Sequence, residues 1–504
     1  MSLSAAAAAL CFQGCGSQAP PPVSQTPIDF LSLTATEALR LLRSGKMSAV
    51  SYAEALLDRA AASVSLNALI SHDPARVLAA AAAADASAEK GPLHGLPLLI
   101  KDNLNTTDYP TTAGTPSLAG FLPPRDARIV SLLRDAGAYI FGKANMHELA
   151  QGITSSNPTF GPVRNPYQPS LIPGGSSGGN AAGVAARLAP AGVGTDTGGS
   201  TRIPAALCGI VGFRPTIGRY PGTGPDPTDD VPIAHSRDTP GPMARSLSDV
   251  VLLDAVMSGI ADPWAHLESL TDSAVSLRLG VARGYFYAGL DAALQAVVES
   301  ALSRLSAAGV TLVDLDLPDL GALLEKTSTP VVIYETGRDL PFYLAQNGSA
   351  LTLQEVRDLA AGPDVRAILD FTLRGDVSEQ EYLDALNVFT PQLQAALASA
   401  FSSVDALIFP TTILPARPIG AGPPRLDDTV ELNGVQVNTA MAYSHNCEVG
   451  SNADLPGLSL PCGLTRSGLP VGLELDGPRG SDLRLLALGL AVERILGPLP
   501  PPPA

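Results

Sequence analysis

The sequence predicts an α/β protein whose sheet is covered by helices on both faces. Three observations carry this expectation. Short aliphatic runs of strand length alternate with longer segments of helical periodicity, the pattern of βαβ units and parallel pairing. Alanine, glycine and proline are abundant while aromatic residues make up only 5%, which suits helix-on-sheet layers better than an all-β module. The chain has 504 residues, 45% of them hydrophobic, enough to bury a large core.

The elements follow in order. Thr34-Ala35-Thr36-Glu37 has the capping-box pattern, and 38–43 continue it as an amphipathic helix that Gly45 ends. Ser48 caps a second helix through Arg59, and 66–70 read as a strand. Asp73-Pro74 opens another helix, with proline at its first position, to about Ala86. Leu98, Leu99 and Ile100 form a buried strand that delivers Lys101 and Asp102 at its end. Asp126 caps a helix to Ala136, 138–141 form a strand, and 142–157 pass by a helical turn into a loop. The alanine-rich run 180–188 is a helix, 189–194 a short strand, and a short helix begins at Ser200. Residues 210–215, 277–282, 310–315 and 406–409 read as strands, and 291–308 as a helix. From about 320 to 400 the pattern is mostly helical, broken at Pro330, Gly337 and Pro341. Residues 438–461 read as a loop-rich return and 485–496 as a closing helix.

A formal net charge of −16 excludes a nucleic-acid groove, which needs clustered Lys and Arg. Cys11, Cys15, Cys208, Cys447 and Cys462 are spaced neither as zinc ligands nor as a disulfide framework. No run of roughly 18 apolar residues exists to form a transmembrane span. Residues 1–27 combine a short apolar run, Phe12-Gln13-Gly14-Cys15 and a Pro/Ser/Gln tether. This resembles the end of a bacterial lipoprotein signal without its basic start, with a disordered tail as the alternative. Localisation is accordingly the bacterial cytoplasm, or export with a lipid anchor on Cys15.

The chemistry centres on 172–204. Gly174-Gly175-Ser176-Ser177-Gly178-Gly179 opens one helix, and Thr195-Asp196-Thr197-Gly198-Gly199-Ser200 leads into another. Glycine marks places where the backbone takes unusual dihedrals or something approaches closely. Two such turns aim N–H groups and hydroxyls at one point, the way an oxyanion is held. Ser200 behind two glycines is a candidate nucleophile, and a serine hydroxyl needs a base. None of His72, His94, His147, His235, His266 and His445 sits in a pattern that nominates it. Lys101, directly after three aliphatic residues, is either a buried base or a lysine snorkelling from a strand end. Gly175-Ser176-Ser177-Gly178-Gly179 also matches G-x-S-x-G around Ser177, but a nucleophile elbow requires a strand before it, and 165–169 read as a loop.

Several motifs stand in one order: H-G-L-P-L-L-I-K-D-N at 94–103, G-G-S-S-G-G at 174–179, G-T-D-T-G-G-S-x-R-x-P at 194–204, C-G-I-V-G-F-R-P-T at 208–216, D-T-P-G-P-M-A-R-S at 238–246, and P-G-L-S-L-P-C-G with G-L-P-V-G at 456–472. In this the chain resembles the amidase signature family. The resemblance implies a large, twisted, mixed central sheet with helices on both faces. It also implies a catalytic domain over 28–504 with a variable pocket region at about 270–400. Ser200 would be the nucleophile. Ser176, joined to Gly175 by a cis peptide, would bridge it to Lys101, the ultimate base. The N–H groups of Thr197, Gly198, Gly199 and Ser200 would form the oxyanion hole, supported by Ser177, Asp196 and Arg202. A lysine serves as a base only when neutral, and burial beside aliphatic residues lowers its pKa. Such a mechanism needs no metal and no organic cofactor.

Family resemblance also places Ala150, Gln151, Gly152 and Ile153 in the substrate pocket, with Tyr334, Phe342 and Tyr343 either there or in the core. Few charges fall near the first loop, so the expected substrate is a small, uncharged, aryl-bearing amide. The runs 101–107 and 143–150 look similar to mandelamide- and indoleacetamide-hydrolase-like members, a subgroup that also resembles enzymes acting on anilides and carbamates (urethanes). The expected partner is that small molecule alone, with the chain a monomer or homodimer. The alternative is the catalytic subunit of a glutamine-dependent tRNA amidotransferase, which needs partner subunits.

Overall fold

Eleven strands hydrogen-bond into one sheet: β1 (Leu69–Ser71), β2 (Pro97–Lys101), β3 (Tyr139–Ala144), β4 (Ala191–Asp196), β5 (Val211–Arg214), β6 (Thr239–Ala244), β7 (Arg278–Val281), β8 (Thr311–Asp314), β9 (Ala406–Pro410), β10 (Gly457–Leu464) and β11 (Pro470–Asp476). Their order across the sheet is β1-β3-β2-β4-β6-β5-β10-β11-β9-β7-β8. This is a computed structural model, and it describes residues 28–225, 227–272, 277–317 and 320–503. The lipoprotein-like segment 1–27, with Cys11 and Cys15, lies outside the described residues.

Pairing is parallel at β2–β3, β2–β4, β7–β8 and β7–β9 and antiparallel at the other junctions. The sheet is therefore mixed, as the family resemblance implies. The parallel pairing read from strand–helix alternation holds only for part of it. A parallel crossover needs about a dozen residues, and the short turn 465–469 between β10 and β11 cannot supply them. The proline- and glycine-rich β6 inserts between β4 and β5, antiparallel to both. Gly241 permits that insertion, because a Cβ there would lie against Phe213 O.

Local chemistry sets most element starts. Thr34 and Glu37 form the capping box of the Ala35–Arg43 helix. The Asp73 side chain caps the Pro74–Ala86 helix. Asp126 is a correction: the helix Arg128–Asp135 starts behind Ala127 with no side-chain cap. Asp126 accepts instead from the Thr107 N–H at 2.7 Å and pairs with Arg134 at 3.0 Å. The second serine turn also differs, since its helix is Arg202–Cys208 and begins past Ser200.

The segment after 320 departs most from expectation. A single helix, Leu320–Gln346, runs through Pro330, Gly337 and Pro341. An internal proline costs about 3 kcal/mol. Against that, Leu324, Val331, Leu340, Tyr343 and Leu344 are buried along the helix, each worth about 1.5–3 kcal/mol, so burial outweighs both breaks. Gly337 is not a break but a close approach: a Cβ there would lie 2.9 Å from Thr372 Cγ2 on the helix Pro363–Arg374. Residues 438–461 are not loop-rich either. They hold the helices Thr439–Ser444 and Cys447–Asn452 and enter β10. Ahead of them the hairpin Thr429–Leu432 with Val435–Asn438 turns at Asn433-Gly434, φ 52° and 82°, as the dipeptide favours.

Among the described residues no helix is long and apolar enough to cross a membrane. Cys208, Cys447 and Cys462 are buried and free.

The helix Gly178–Ala185, which follows Ser176 and Ser177, is wholly buried against β2, β3 and β4. Asn180 Nδ2 donates to Leu99 O at 3.2 Å and Val193 O at 3.1 Å. At Gly179 an added Cβ would meet the backbones of Asn145 and Ala68, whereas at Gly284 it would meet open space. Gly179→Ala should therefore lose about 1–3 kcal/mol in a urea titration, while Gly284→Ala should lose none.

Candidate active site

Lys101 ends β2 and is fully buried. β2 and β4 run parallel with Ile100 opposite Val193, so residues 101 and 195 meet at the carboxyl ends of the two strands, where α/β sheets hold their ligands. Lys101 Nζ donates to Ser176 Oγ at 2.7 Å, to Thr195 Oγ1 at 2.7 Å and to Thr195 O at 3.3 Å. Among the described residues no carboxylate touches it. Burial pushes the Lys101 ammonium down to about 7, against the opposing fields of Asp196, Asp238 and Asp230.

The Gly175–Ser176 peptide is cis. Ser176 O accepts from the His147 N–H at 3.1 Å and from Ser155 Oγ at 3.3 Å. Ser155 Oγ also takes the Gly178 N–H at 3.2 Å. A Cβ on Gly175 would sit 2.8 Å from Ser155 Oγ, so the glycine keeps this contact open. Ser177 faces β4: its Oγ donates to Thr195 O at 3.2 Å and accepts the Thr195 N–H at 3.3 Å. The Ser177 N–H donates to Ser200 O at 3.2 Å, tying the two serine turns together.

Ser200 is 6% exposed, and its Oγ takes no hydrogen-bond partner among the described residues. The turn that carries it is built on Asp196. That carboxylate accepts from the N–H groups of Gly199 (2.8 Å) and Thr201 (3.1 Å), from Thr201 Oγ1 (2.8 Å), from Arg202 Nε and Nη2 (3.1 and 3.0 Å) and from Arg214 Nη1 (3.2 Å). Burial pushes Asp196 up, but the Arg202 and Arg214 guanidinium groups outweigh it and hold the carboxyl well below the usual range. Arg202 reaches on to Glu474 at 2.5 Å and Ser451 at 2.7 Å. Gly199, at φ +116°, would meet Cys447 with any Cβ, and its N–H is spent on Asp196. The N–H groups of Thr197, Gly198 and Ser200 have no acceptor among the described residues, leaving three donors on one turn.

The loop 149–153 adjoins Ser176 through His147. Leu149 and Ala150 hold left-handed backbone, φ 49° and 58°, which non-glycine residues adopt at a cost of about 1–3 kcal/mol. A Cβ on Gly152 would enter the His147 ring. Gln151 Nε2 donates to Thr336 Oγ1 at 3.2 Å on the long helix. A small cavity opens here, lined by His147, Gln151, Gly152, Ile153, Asp364 and Leu426 among others. Tyr343 is core: fully buried, it donates to Asn105 Oδ1 at 2.6 Å. Tyr334 stacks on Tyr382 at 4.2 Å, and Phe342 is half-buried. Among the described residues no histidine ring hydrogen-bonds to Ser176, Ser177 or Ser200; that of His147 pairs with Asp364 at 2.9 Å.

Sequence reasoning missed Thr195, Ser155, Arg214 and Lys143. Thr195 was legible as the residue that follows the predicted strand 189–194 and opens the second glycine turn. Lys143 follows an apolar strand run, Tyr139-Ile140-Phe141-Gly142, much as Lys101 follows its own, yet its Nζ donates to Leu104 O, Thr106 Oγ1, Pro110 O and Thr111 Oγ1 and pairs with Asp102 at 3.3 Å.

The family model for amidases matches residues 51–486. The chain belongs to the amidase signature family. It is 43% identical over 464 residues to an indoleacetamide hydrolase of Agrobacterium vitis, covering 91% of this chain and 96% of that one. It is 38% identical over 498 residues to a mandelamide hydrolase of Pseudomonas putida, covering 94% of each. The structure is similar to the native peptide amidase of Stenotrophomonas maltophilia, with a TM-score of 0.78, 29% identity and coverage of 94% and 99%. This amidase-family chain is an enzyme that hydrolyses carbon–nitrogen bonds of amides other than peptides.

Burying Lys101 has a cost that pH reveals. Its folded pKa of about 7 lies below the ordinary 10.5, so between those values the unfolded chain binds more protons and stability rises with pH. Lys101→Met should be more stable than the parent at neutral pH. That advantage should shrink as urea melts are repeated toward alkaline pH.

Proposed function

We propose that this enzyme hydrolyses small neutral amides, aryl-bearing ones first, through an acyl-enzyme on Ser200, with Ser176 and Lys101 as its proton relay. The observation that carries the reading is the 2.7 Å contact from Lys101 Nζ to Ser176 Oγ, made by a buried lysine with no carboxylate against it among the described residues. An amine lowered to about 7 is half neutral at physiological pH, where a general base works best.

Neutral Lys101 takes the Ser176 proton, and Ser176 takes that of Ser200. Ser200 Oγ attacks the carbonyl carbon, and the N–H groups of Thr197, Gly198 and Ser200 receive the negative charge on its oxygen. The relay runs backward to deliver the proton to the leaving nitrogen, which departs as ammonia or an amine. Water, deprotonated through the same relay, then attacks the ester and frees Ser200. Gly199 supports this hole from behind through Asp196, with Arg202 and Ser177 holding the two turns. The cavity beside Gln151, Gly152 and Ile153 is lined by Asp364, Arg425 and Asp428 as well as Ile368 and Leu426, so the uncharged aryl group rests on the relatives rather than on this lining. The indoleacetamide and mandelamide hydrolases among its relatives support primary aryl amides over other classes. Anilides and carbamates are the adjoining substrates, reached by the same acyl transfer with a different leaving group.

A panel of arylacetamides, anilides, aryl carbamates and glutamine tests the reading; glutamine as the sole substrate would overturn it. Ser200→Ala should abolish turnover. Lys101→Ala should lose at least about 10²–10⁴-fold in kcat while remaining folded by circular dichroism. Because the base must be neutral, the rate should rise with pH through an apparent pKa near 7. A profile flat from acid to alkaline pH would assign the base elsewhere.

A further inference from the structure

We infer that Glu448 is a charge-selecting residue of the substrate site, favouring substrates that bring a cation or hydrogen-bond donor near the oxyanion turn and rejecting those that bring a carboxylate. The inference rests on the proposed role of the 197–200 turn. Glu448 stands on the helix Cys447–Asn452, remote in sequence from that turn, and the fold brings them together. Glu448 Oε1 lies 2.7 Å from where a Cβ on Gly198 would be. Gly198 is the partly exposed residue of the turn, and the Glu448 side chain is 24% exposed.

The two oxygens of Glu448 differ. Oε2 is saturated: it accepts from Ser328 Oγ at 2.7 Å and Asn452 Nδ2 at 2.7 Å, with Arg237 Nη1 at 3.9 Å. Oε1 takes no partner among the described residues. The three groups on Oε2 hold the side chain, so Oε1 stays beside Gly198 with its lone pairs free. Of the other acids near the turn, Asp196 and Asp238 are engaged through both oxygens, Asp238 by Thr197 Oγ1 and by the Ile233 and Ala234 N–H groups, while burial and Asp238 push the Asp230 carboxyl well up, toward its neutral form. A substrate seated on the N–H groups of the turn therefore meets one uncommitted negative oxygen. A nearby cation is attracted to it, a neutral donor hydrogen-bonds to it, and a carboxylate is repelled.

The test uses three phenylacetamides differing at the α-carbon: α-aminomethyl, α-ethyl and α-carboxylate. Each is assayed with the parent enzyme and with Glu448→Gln, which keeps an oxygen for Ser328 and Asn452. The parent should favour the cation over the anion in kcat/KM by roughly ten- to a hundredfold. Glu448→Gln should shrink that ratio at least about tenfold. A purely structural role for Glu448 would lower all three substrates together and leave the ratio within about twofold, which overturns the inference. The same three amides are titrated by calorimetry into Ser200→Ala and Ser200→Ala/Glu448→Gln. If no amide is turned over, the proposed activity fails, and the ratio of dissociation constants still decides the role of Glu448.

Discussion

One buried carboxylate organises the centre of this protein. Asp196 gathers six donors, two of them backbone N–H groups of the turn that follows β4. An ionised carboxyl without water is expensive unless paired and hydrogen-bonded. Arg202 and Arg214 supply the pairing, and Glu474 balances the second positive charge. The chain between 196 and 202 consequently has one way to turn, and Ser200 stands where that turn leaves it. The same bonds consume the Gly199 N–H, while those of Thr197, Gly198 and Ser200 have no acceptor among the described residues. What makes the turn rigid also determines which of its donors are free.

The second constraint is a lysine deprived of acid. Lys101 and Lys143 stand at the carboxyl ends of neighbouring strands, Lys101 last in β2 and Lys143 last but one in β3, and both are fully buried. Burial lowers both, Lys101 to about 7. Lys143 spends its protons on four oxygens and the Asp102 carboxylate, so it holds the 102–112 loop together. Lys101 has two hydroxyls and one carbonyl. Hydroxyls accept a hydrogen bond from an ammonium, yet they also donate to a neutral amine, and a carboxylate does only the former. The partner set, more than burial, separates a structural lysine from one that can exchange protons.

Much of this was legible beforehand wherever the signal was local. The capping box at Thr34 and the proline start at Pro74 each depend on residues within one turn. The strand ending in Lys101 and the glycine-flanked serines could be read in the same way. Where the contest was between local and distant terms, local reading failed. Pro330 and Pro341 argue for breaks, and five side chains buried along one helix outweigh them. The 438–461 segment lacks a strong repeat, and its helices are held by packing, Cys447–Asn452 against the long helix Leu320–Gln346 and Thr439–Ser444 against the hairpin strand Val435–Asn438. Asn433-Gly434 is a different case, a local signal present in the chain and passed over.

By itself the sequence determined the α/β class, the two glycine turns and the residue types that could do acyl-transfer chemistry, because those follow from backbone dihedrals and short-range periodicity. Only the tertiary structure decided that Lys143 is taken up by carbonyls and Asp102 while Lys101 is not, which N–H groups of the turn remain unpaired and which oxygen of Glu448 faces Gly198. Those outcomes join residues tens to hundreds of positions apart. Their energies come from burial and charge pairing across the assembled sheet, which no window of sequence contains.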